Sequence, residues 1–194
     1  MSQSDHDSNM VMALSTPDPE TLDEDLQKFF GKCQEKLGLI PNVLKSYSLR
    51  PRKLRNFISL YNELMLGESG LSKLEREMIA VVVSSVNRCY YCLVAHGQAV
   101  RELSGNPQLG EMLVMNYRVA PLSEKNRAML DFAWKLTVEP YRIEENDRQK
   151  LREVGFSEED IFDIADVTGF YNMSNRVASG VEMNPNKEYH TRNR

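Results

Sequence analysis

Residues 71–105 constrain the fold more than any other part of the chain. They begin with Ser72 followed three residues later by Glu75, a capping-box pattern that marks the start of a helix. The residues that follow are mostly Met, Ile, Val and Ala, which predicts a helix buried on most of its sides. Glu77 lies inside this apolar segment. A helix this apolar needs neighbours on every side, so we expect the rest of the chain to pack around it.

A second helical pattern follows in the same stretch and ends at Gly105, a residue type typical of helix C-termini. It carries Cys89, Cys92 and His96 at spacings of three and four residues. Those spacings place all three side chains on one face of a helix. The stretch therefore combines two thiols, an imidazole and a carboxylate.

The distance between Glu77 and these residues depends on whether the helix is broken. In one straight helix, twelve rises of ~1.5 Å would separate Glu77 from Cys89 by roughly 18 Å, too far for their side chains to cooperate. A turn at Asn87 and Arg88 would instead send the second helix back along the first and bring His96 opposite Glu77. We therefore predict a central antiparallel helix pair, with the carboxylate, the imidazole and the dithiol in a line.

Helical spacing recurs along the rest of the chain, and no segment alternates with the period of a β-strand, so we predict an all-α fold. Thr21 with Glu24 forms another capping-box pattern. We expect a disordered N-terminal segment over residues 1–20, a single all-α domain over residues 21–181 with its core at 71–105, and a C-terminal tail over 182–194. The predicted helices cover residues 22–37, 41–47, 51–66, 73–86, 89–104, 107–116, 124–138, 144–154 and 157–179.

Composition excludes several classes of partner. The 194 residues carry a net charge of -4, which offers no basic face for nucleic acid or an anionic membrane. The longest apolar run, residues 78–83, is far shorter than the ~20 residues that a membrane-spanning helix needs. The polar, acidic first residues do not resemble a secretory signal, so we expect a cytoplasmic protein. Three cysteines, two of them in a C-x-x-C pair, fit a reducing compartment and a redox or metal motif.

The C-x-x-C pair leaves a zinc site and inert buried thiols as alternatives to a redox dithiol. A closed structural zinc site normally has four ligands, and the remaining candidates, Cys33, His6 and His190, lie in distant segments without a second paired spacing. We therefore expect neither a metal nor a cofactor.

Glu77 and His96 also have structural alternatives. Glu77 could form an ion pair with Arg76 or Arg88, and a lone histidine on a half-buried helix is commonly structural. However, a carboxylate among valine and isoleucine is costly to ionise without a partner, and an imidazole one turn from Cys92 can take a thiol proton. Both observations favour proton transfer.

The pattern E-x11-C-x2-C-x3-H resembles the core of the alkyl hydroperoxidase D (AhpD)-like proteins within the carboxymuconolactone decarboxylase superfamily. A looser likeness over residues 22–181 is similar to the peroxidase-related branch. This resemblance implies an all-helical fold, homo-oligomers and thiol-dependent peroxide reduction, with Glu77, Cys89, Cys92 and His96 as the working set. AhpD has a further histidine beside its second cysteine, where this chain has Tyr91. The decarboxylase members work without the dithiol, so its presence favours redox chemistry.

The favoured function is a cytoplasmic thiol peroxidase or disulfide oxidoreductase that reduces alkyl hydroperoxides and is regenerated by an external thiol or dithiol. Two alternatives stay open: a decarboxylase-like lyase or isomerase that uses Glu77 and His96 as acid and base, and a non-enzymatic redox sensor. The start of a helix favours Cys89 as the attacking thiol, whereas nearness to His96 favours Cys92. From the sequence we predict that Cys92 attacks and Cys89 resolves.

Overall fold

The computed structural model describes residues 10–194, and within these it contains nine α-helices and no β-strand, as predicted. Short 3-10 turns connect several of them. The helices are α1 (Glu24–Leu37), α2 (Asn42–Tyr47), α3 (Pro51–Leu66), α4 (Lys73–Val86), α5 (Tyr90–Ser104), α6 (Pro107–Asn116), α7 (Glu124–Val138), α8 (Glu145–Glu153) and α9 (Glu158–Gly180).

Helix α4 is the centre of the molecule, because residues 76–84 are all buried and α5, α6, α7 and α9 pack around it. Its first turn has the predicted capping box: the Glu75 N–H donates to the Ser72 hydroxyl, and the Ser72 N–H donates to the Glu75 carboxylate. An amphipathic helix buries one stripe, whereas α4 buries its whole circumference. Each side chain from residue 76 to residue 84, including Glu77, is therefore enclosed by the surrounding structure.

The predicted break lies between α4 and α5, where Arg88 adopts a left-handed conformation with φ +52°. The Arg88 N–H donates to the Ser85 carbonyl and the Cys89 N–H donates to the Ser84 carbonyl, which is the pattern of a Schellman C-cap. Glycine is the usual residue at this position, and a side chain there costs ~1–2 kcal/mol. Cys89 is the last residue of this cap and also the N-cap of α5, so the turn fixes the first thiol.

The observed helix boundaries follow the predicted ones closely, with one correction in α1. Thr21 does not cap this helix, because it lies in a 3-10 turn whose N-cap is Asp18, and Asp23 precedes α1 instead. The end of α1 is as expected: Gly38 adopts φ +70°, a conformation that side chains disfavour.

The chain ends are more ordered than the sequence predicts. The Ala13 N–H donates to the Val181 carbonyl and the Asn184 N–H donates to the Val11 carbonyl, both at 2.9 Å, so residues 11–13 pair with residues 181–184. Met12 is only 2% exposed. The expected disorder of residues 1–20 is thus wrong for Met12 and its neighbours, whereas residues 1–9 lie outside the described part. Residues 182–194 likewise fold back, and the Arg101 guanidinium donates to the Tyr189 carbonyl.

Across residues 10–194, no helix is both long enough and apolar enough to span a membrane.

Candidate redox site

The two cysteines of the C-x-x-C pair are buried together at the start of α5. Cys89 and Cys92 are each 1% exposed and carry free thiols. A small apolar cluster separate from the main core surrounds them, and Met12 and Met183 belong to it. The dithiol therefore lies under a thin apolar cover contributed by both ends of the chain.

The predicted meeting of α4 and α5 brings Glu77 and His96 into contact. His96 Nδ1 lies 2.6 Å from Glu77 Oε2, and the side chains are 14% and 10% exposed. When the carboxylate is ionised it can only accept, so Nδ1 is then the donor of this hydrogen bond, and in a neutral imidazole Nε2 keeps a lone pair. This pairing prepares His96 to take a proton at Nε2.

The structural alternatives for Glu77 do not fit this geometry. Arg76 is 4% exposed, and its guanidinium donates to the carbonyls of Leu64 and Gly67 at 3.1 and 3.0 Å, where it holds the end of α3. Arg88 is exposed in the turn at the opposite end of α4. Among the ion pairs of the described residues, Glu77 takes part only in the contact with His96.

Helix α9 supplies a second row of polar groups alongside this line. Tyr171 places its hydroxyl 3.5 Å from His96 Nδ1 and packs edge-to-face on the imidazole, with 4.7 Å between ring centroids. One turn later, the Asn175 amide donates to the Ser84 hydroxyl at 3.0 Å, and both groups also hydrogen bond to Cys92. Another turn later, the Ser179 hydroxyl hydrogen bonds to Cys89. The three residues are four apart, so they share one face of α9.

The two thiols differ in proton affinity. A hydrogen bond from the Cys92 thiol, assisted by the Cys92 backbone N–H, Ser179 and His96, lowers the pKa of Cys89 to about 6 despite its burial. The pKa of Cys92 is raised far above its ordinary value, because its proton is held in the bond to Cys89, the site is buried, and a Cys89 thiolate would repel a second negative charge.

This difference favours Cys89 as the thiolate, whereas the sequence predicts that Cys92 attacks. His96 contributes to the lowered pKa of Cys89. The polar neighbours of Cys92 are Cys89, Ser84 and Asn175. The position of Cys89 at the start of α5 favours the same thiolate.

Tyr91, which replaces the additional family histidine, has a structural role. Its hydroxyl accepts the Val43 N–H at 3.1 Å, and burial raises its pKa well above the ordinary value. The side chain thus ties α5 to the start of α2 and takes no part in the Glu77–His96 contact.

The described residues contain no group of three or more His, Cys, Asp or Glu side chains placed to hold a metal ion. Of the ligands considered for zinc, Cys33 is buried in the main core and His190 lies 3.4 Å from the Tyr90 hydroxyl. His6 falls outside the described residues.

The four predicted site residues do not include Tyr171, Asn175, Ser179 and Ser84, which also lie at the site. A signal for three of them exists: Tyr171, Asn175 and Ser179 recur every four residues and therefore share one face of α9. That spacing predicts a polar stripe, but nothing in the sequence of α9 tells which helix the stripe faces.

An all-helical bundle with a buried C-x-x-C dithiol beside a carboxylate–imidazole pair defines the AhpD-like class of proteins. A model of the carboxymuconolactone decarboxylase family matches residues 51–113, which include all four predicted site residues. A comparison with the curated proteins found no match.

Solved structures resemble nearly the whole chain. An uncharacterized peroxidase-related protein from Silicibacter sp. TM1040 is 63% identical, with a TM-score of 0.92 over 95% of this chain and 96% of that one. A second uncharacterized peroxidase-related protein, the alkylhydroperoxidase AhpD core from Ralstonia eutropha JMP134, is 37% identical, with a TM-score of 0.94 over 96% and 98%. The debrominase Bmp8 shares the fold at 19% identity, with a TM-score of 0.74 over 93% and 94%.

The chain therefore belongs to the AhpD-like proteins of the carboxymuconolactone decarboxylase family.

Proposed function

We propose that the protein is a thiol-dependent peroxidase that reduces alkyl hydroperoxides through Cys89 and Cys92. The observation that carries this proposal is that two free, buried thiols of one C-x-x-C pair lie on the same helix as His96, which contacts Glu77 at 2.6 Å. Such a site provides a nucleophile, a resolving thiol and a proton-transfer pair. The 63% identical relative is described as peroxidase-related, which supports the same chemistry.

In the first step, the Cys89 thiolate attacks the terminal oxygen of the hydroperoxide. A sulfur–oxygen bond forms, the oxygen–oxygen bond breaks, and Cys89 becomes a sulfenic acid. The leaving alkoxide takes a proton from His96, which had received one from the dithiol while hydrogen bonded to Glu77. The peroxide is thereby reduced to an alcohol.

In the second step, Cys92 condenses with the sulfenic acid. The hydrogen bond and the charge repulsion that hold the proton on Cys92 both require a Cys89 thiolate, and both are lost when Cys89 is a neutral sulfenic acid. Attack by Cys92 forms the disulfide and releases water. An external thiol or dithiol then restores both thiols by exchange.

The same site supports a second candidate function. The Glu77–His96 pair is buried and hydrogen bonded without help from the cysteines, so it could serve acid–base chemistry on a lactone, as in a decarboxylase-like lyase or isomerase. A redox sensor without turnover is the third candidate. The peroxidase is favoured because the polar groups of α9 converge on the dithiol as well as on His96.

One experiment separates the three functions. Cumene hydroperoxide consumption is followed with dithiothreitol as reductant, in the wild type and in a Cys89→Ser, Cys92→Ser variant. A peroxidase turns over repeatedly and the variant does not. Lactone turnover that survives in the variant would establish the lyase, and a single oxidation without further turnover would establish the sensor.

A further inference from the structure

A groove runs along the surface outside the dithiol, between the N-terminal segment, α2, α3 and α9. Its volume is about 570 Å³, which lies within the range of small-molecule sites. Ten of its fourteen lining residues are apolar or aromatic. Three of these, Leu14, Leu60 and Met173, are 51%, 44% and 43% exposed. An apolar concavity this open to water is suited to an apolar ligand.

Two basic side chains, Arg50 and Lys53, lie among the lining residues, and no acidic side chain does. Neither forms an ion pair within residues 10–194, whereas Arg55, further along α3, forms ion pairs with Asp23 and Asp25. A groove with an apolar floor and two unpaired cations matches a ligand that has an apolar chain and a carboxylate.

The groove shares side chains with the apolar cluster around the dithiol. Met12, Val181 and Met183 line it and at the same time belong to the apolar cluster around Cys89 and Cys92. One layer of side chains therefore separates the groove from the dithiol. Met12 is carried by a segment that two backbone hydrogen bonds tie to residues 181–184, and its side chain is one of those that lie between the groove and the dithiol.

We propose that this groove binds fatty-acid hydroperoxides, with the carboxylate at Arg50 and Lys53 and the acyl chain along the apolar floor towards Met12. This inference rests on the proposed peroxidase function, for which it supplies the substrate class. A second copy of this chain is the competing occupant. The unpaired cations favour the carboxylate. In a two-fold symmetric dimer the same groove lining faces itself, so Arg50 and Lys53 of one copy would meet those of the other, and this lining contains no acidic side chain to pair with them.

The first test measures binding without chemistry. Isothermal titration calorimetry with decanoate and with 1-decanol is carried out on the wild type, on an Arg50→Gln, Lys53→Gln variant and on an Arg52→Gln, Lys73→Gln control. The control removes the same charge from exposed positions outside the groove. Decanoate affinity is expected to fall about tenfold or more in the groove variant and to stay unchanged in the control. Decanol affinity is expected to stay the same in all three proteins.

The second test measures turnover. The groove variant should lower kcat/KM for linoleate hydroperoxide about tenfold and leave kcat/KM for cumene hydroperoxide unchanged. If cumene hydroperoxide is not consumed by the wild type, the peroxidase function fails, whatever the decanoate result. The groove proposal is wrong if cumene hydroperoxide is consumed but decanoate does not bind to the wild type. It is equally wrong if the groove variant and the control bind decanoate with the same affinity. It is also wrong if Leu60→Glu dissociates an oligomer on light scattering and decanoate has no effect, because the face is then a subunit interface.

Discussion

The hydrogen bond from Cys92 to Cys89 makes a quantitative prediction about thiol reactivity. With the pKa of Cys89 at about 6, about 90% of this thiol is ionised at pH 7. An unperturbed cysteine with a pKa of ~8.5 is only about 3% ionised at that pH. The difference is about 30-fold in thiolate concentration. Cys89 should therefore react with iodoacetamide with a midpoint near pH 6 and should lose reactivity below that pH.

Two substitutions at Cys92 test the cause of this shift. Cys92→Ala removes the donor that is the largest contribution to the lowered pKa of Cys89, so the reaction midpoint should move up and alkylation at pH 6.5 should slow by about tenfold. Cys92→Ser keeps a hydroxyl donor in the same place, so most of the lowered pKa should remain. The alanine and serine variants differ only in one side-chain oxygen atom, so any difference in reactivity reports on the hydrogen-bond donor at this position.

Alkylation is best followed at each cysteine by mass spectrometry of peptides. Cys33 provides an internal control, because burial raises its pKa and it should stay unmodified at neutral pH. The reasoning is refuted if Cys89 of the wild type titrates with an ordinary midpoint, or if the alanine and serine variants behave alike. Preferential modification of Cys92 at pH 6.5 would support the prediction from the sequence that Cys92 is the nucleophile.

Three further predictions concern the proton relay, the apolar cover and assembly. Glu77→Gln keeps the shape of the site and removes the charge that orients His96, so peroxide consumption should fall 10²- to 10⁴-fold without loss of the circular dichroism spectrum; a rate within threefold of the wild type would exclude the carboxylate from the relay. Met12→Ala thins the cover over the dithiol, so alkylation of Cys89 should be several-fold faster, whereas an equal rate at every pH would place the access route elsewhere. The predicted homo-oligomer should appear as at least a dimer by light scattering at micromolar concentration, and a monomer would contradict it; exposed apolar side chains such as Met115, at 84%, are the surface that assembly would bury.

Local signals were sufficient to predict the helices and the centre of the fold. Ser72, Glu75 and Gly105 mark the helix ends through interactions within a few residues, and the structure confirms each of them. The contact between Glu77 and His96 was also predictable, because side-chain reach and helix rise together require a turn between them. Short-range geometry thus placed two of the site residues together.

Features that depend on distant segments could not be predicted in this way. Tyr171 reaches His96 across 75 positions of sequence, and Met12 is ordered by pairing with residues 181–184. The choice between the two thiols also involves distant groups: His96 is one turn from Cys92 along the helix, yet the pKa values of both thiols respond to the thiol–thiol hydrogen bond, to burial and to Asn175 and Ser179 of α9. The spacing of residues in the sequence identifies the candidate site residues, but it does not show how strongly each of them shifts the pKa of either thiol.

The central claim, that Cys89 and Cys92 form a peroxide-reducing pair, is tested most directly by mapping disulfides after oxidation. The reduced protein is treated with one equivalent of cumene hydroperoxide, blocked with iodoacetamide, digested without reduction and analysed by mass spectrometry. We predict the loss of one equivalent of peroxide and of two thiols, with a Cys89–Cys92 disulfide and an alkylatable Cys33 after unfolding. The account is contradicted if both cysteines remain free while the peroxide persists, or if the peroxide is consumed with Cys89 and Cys92 still reduced.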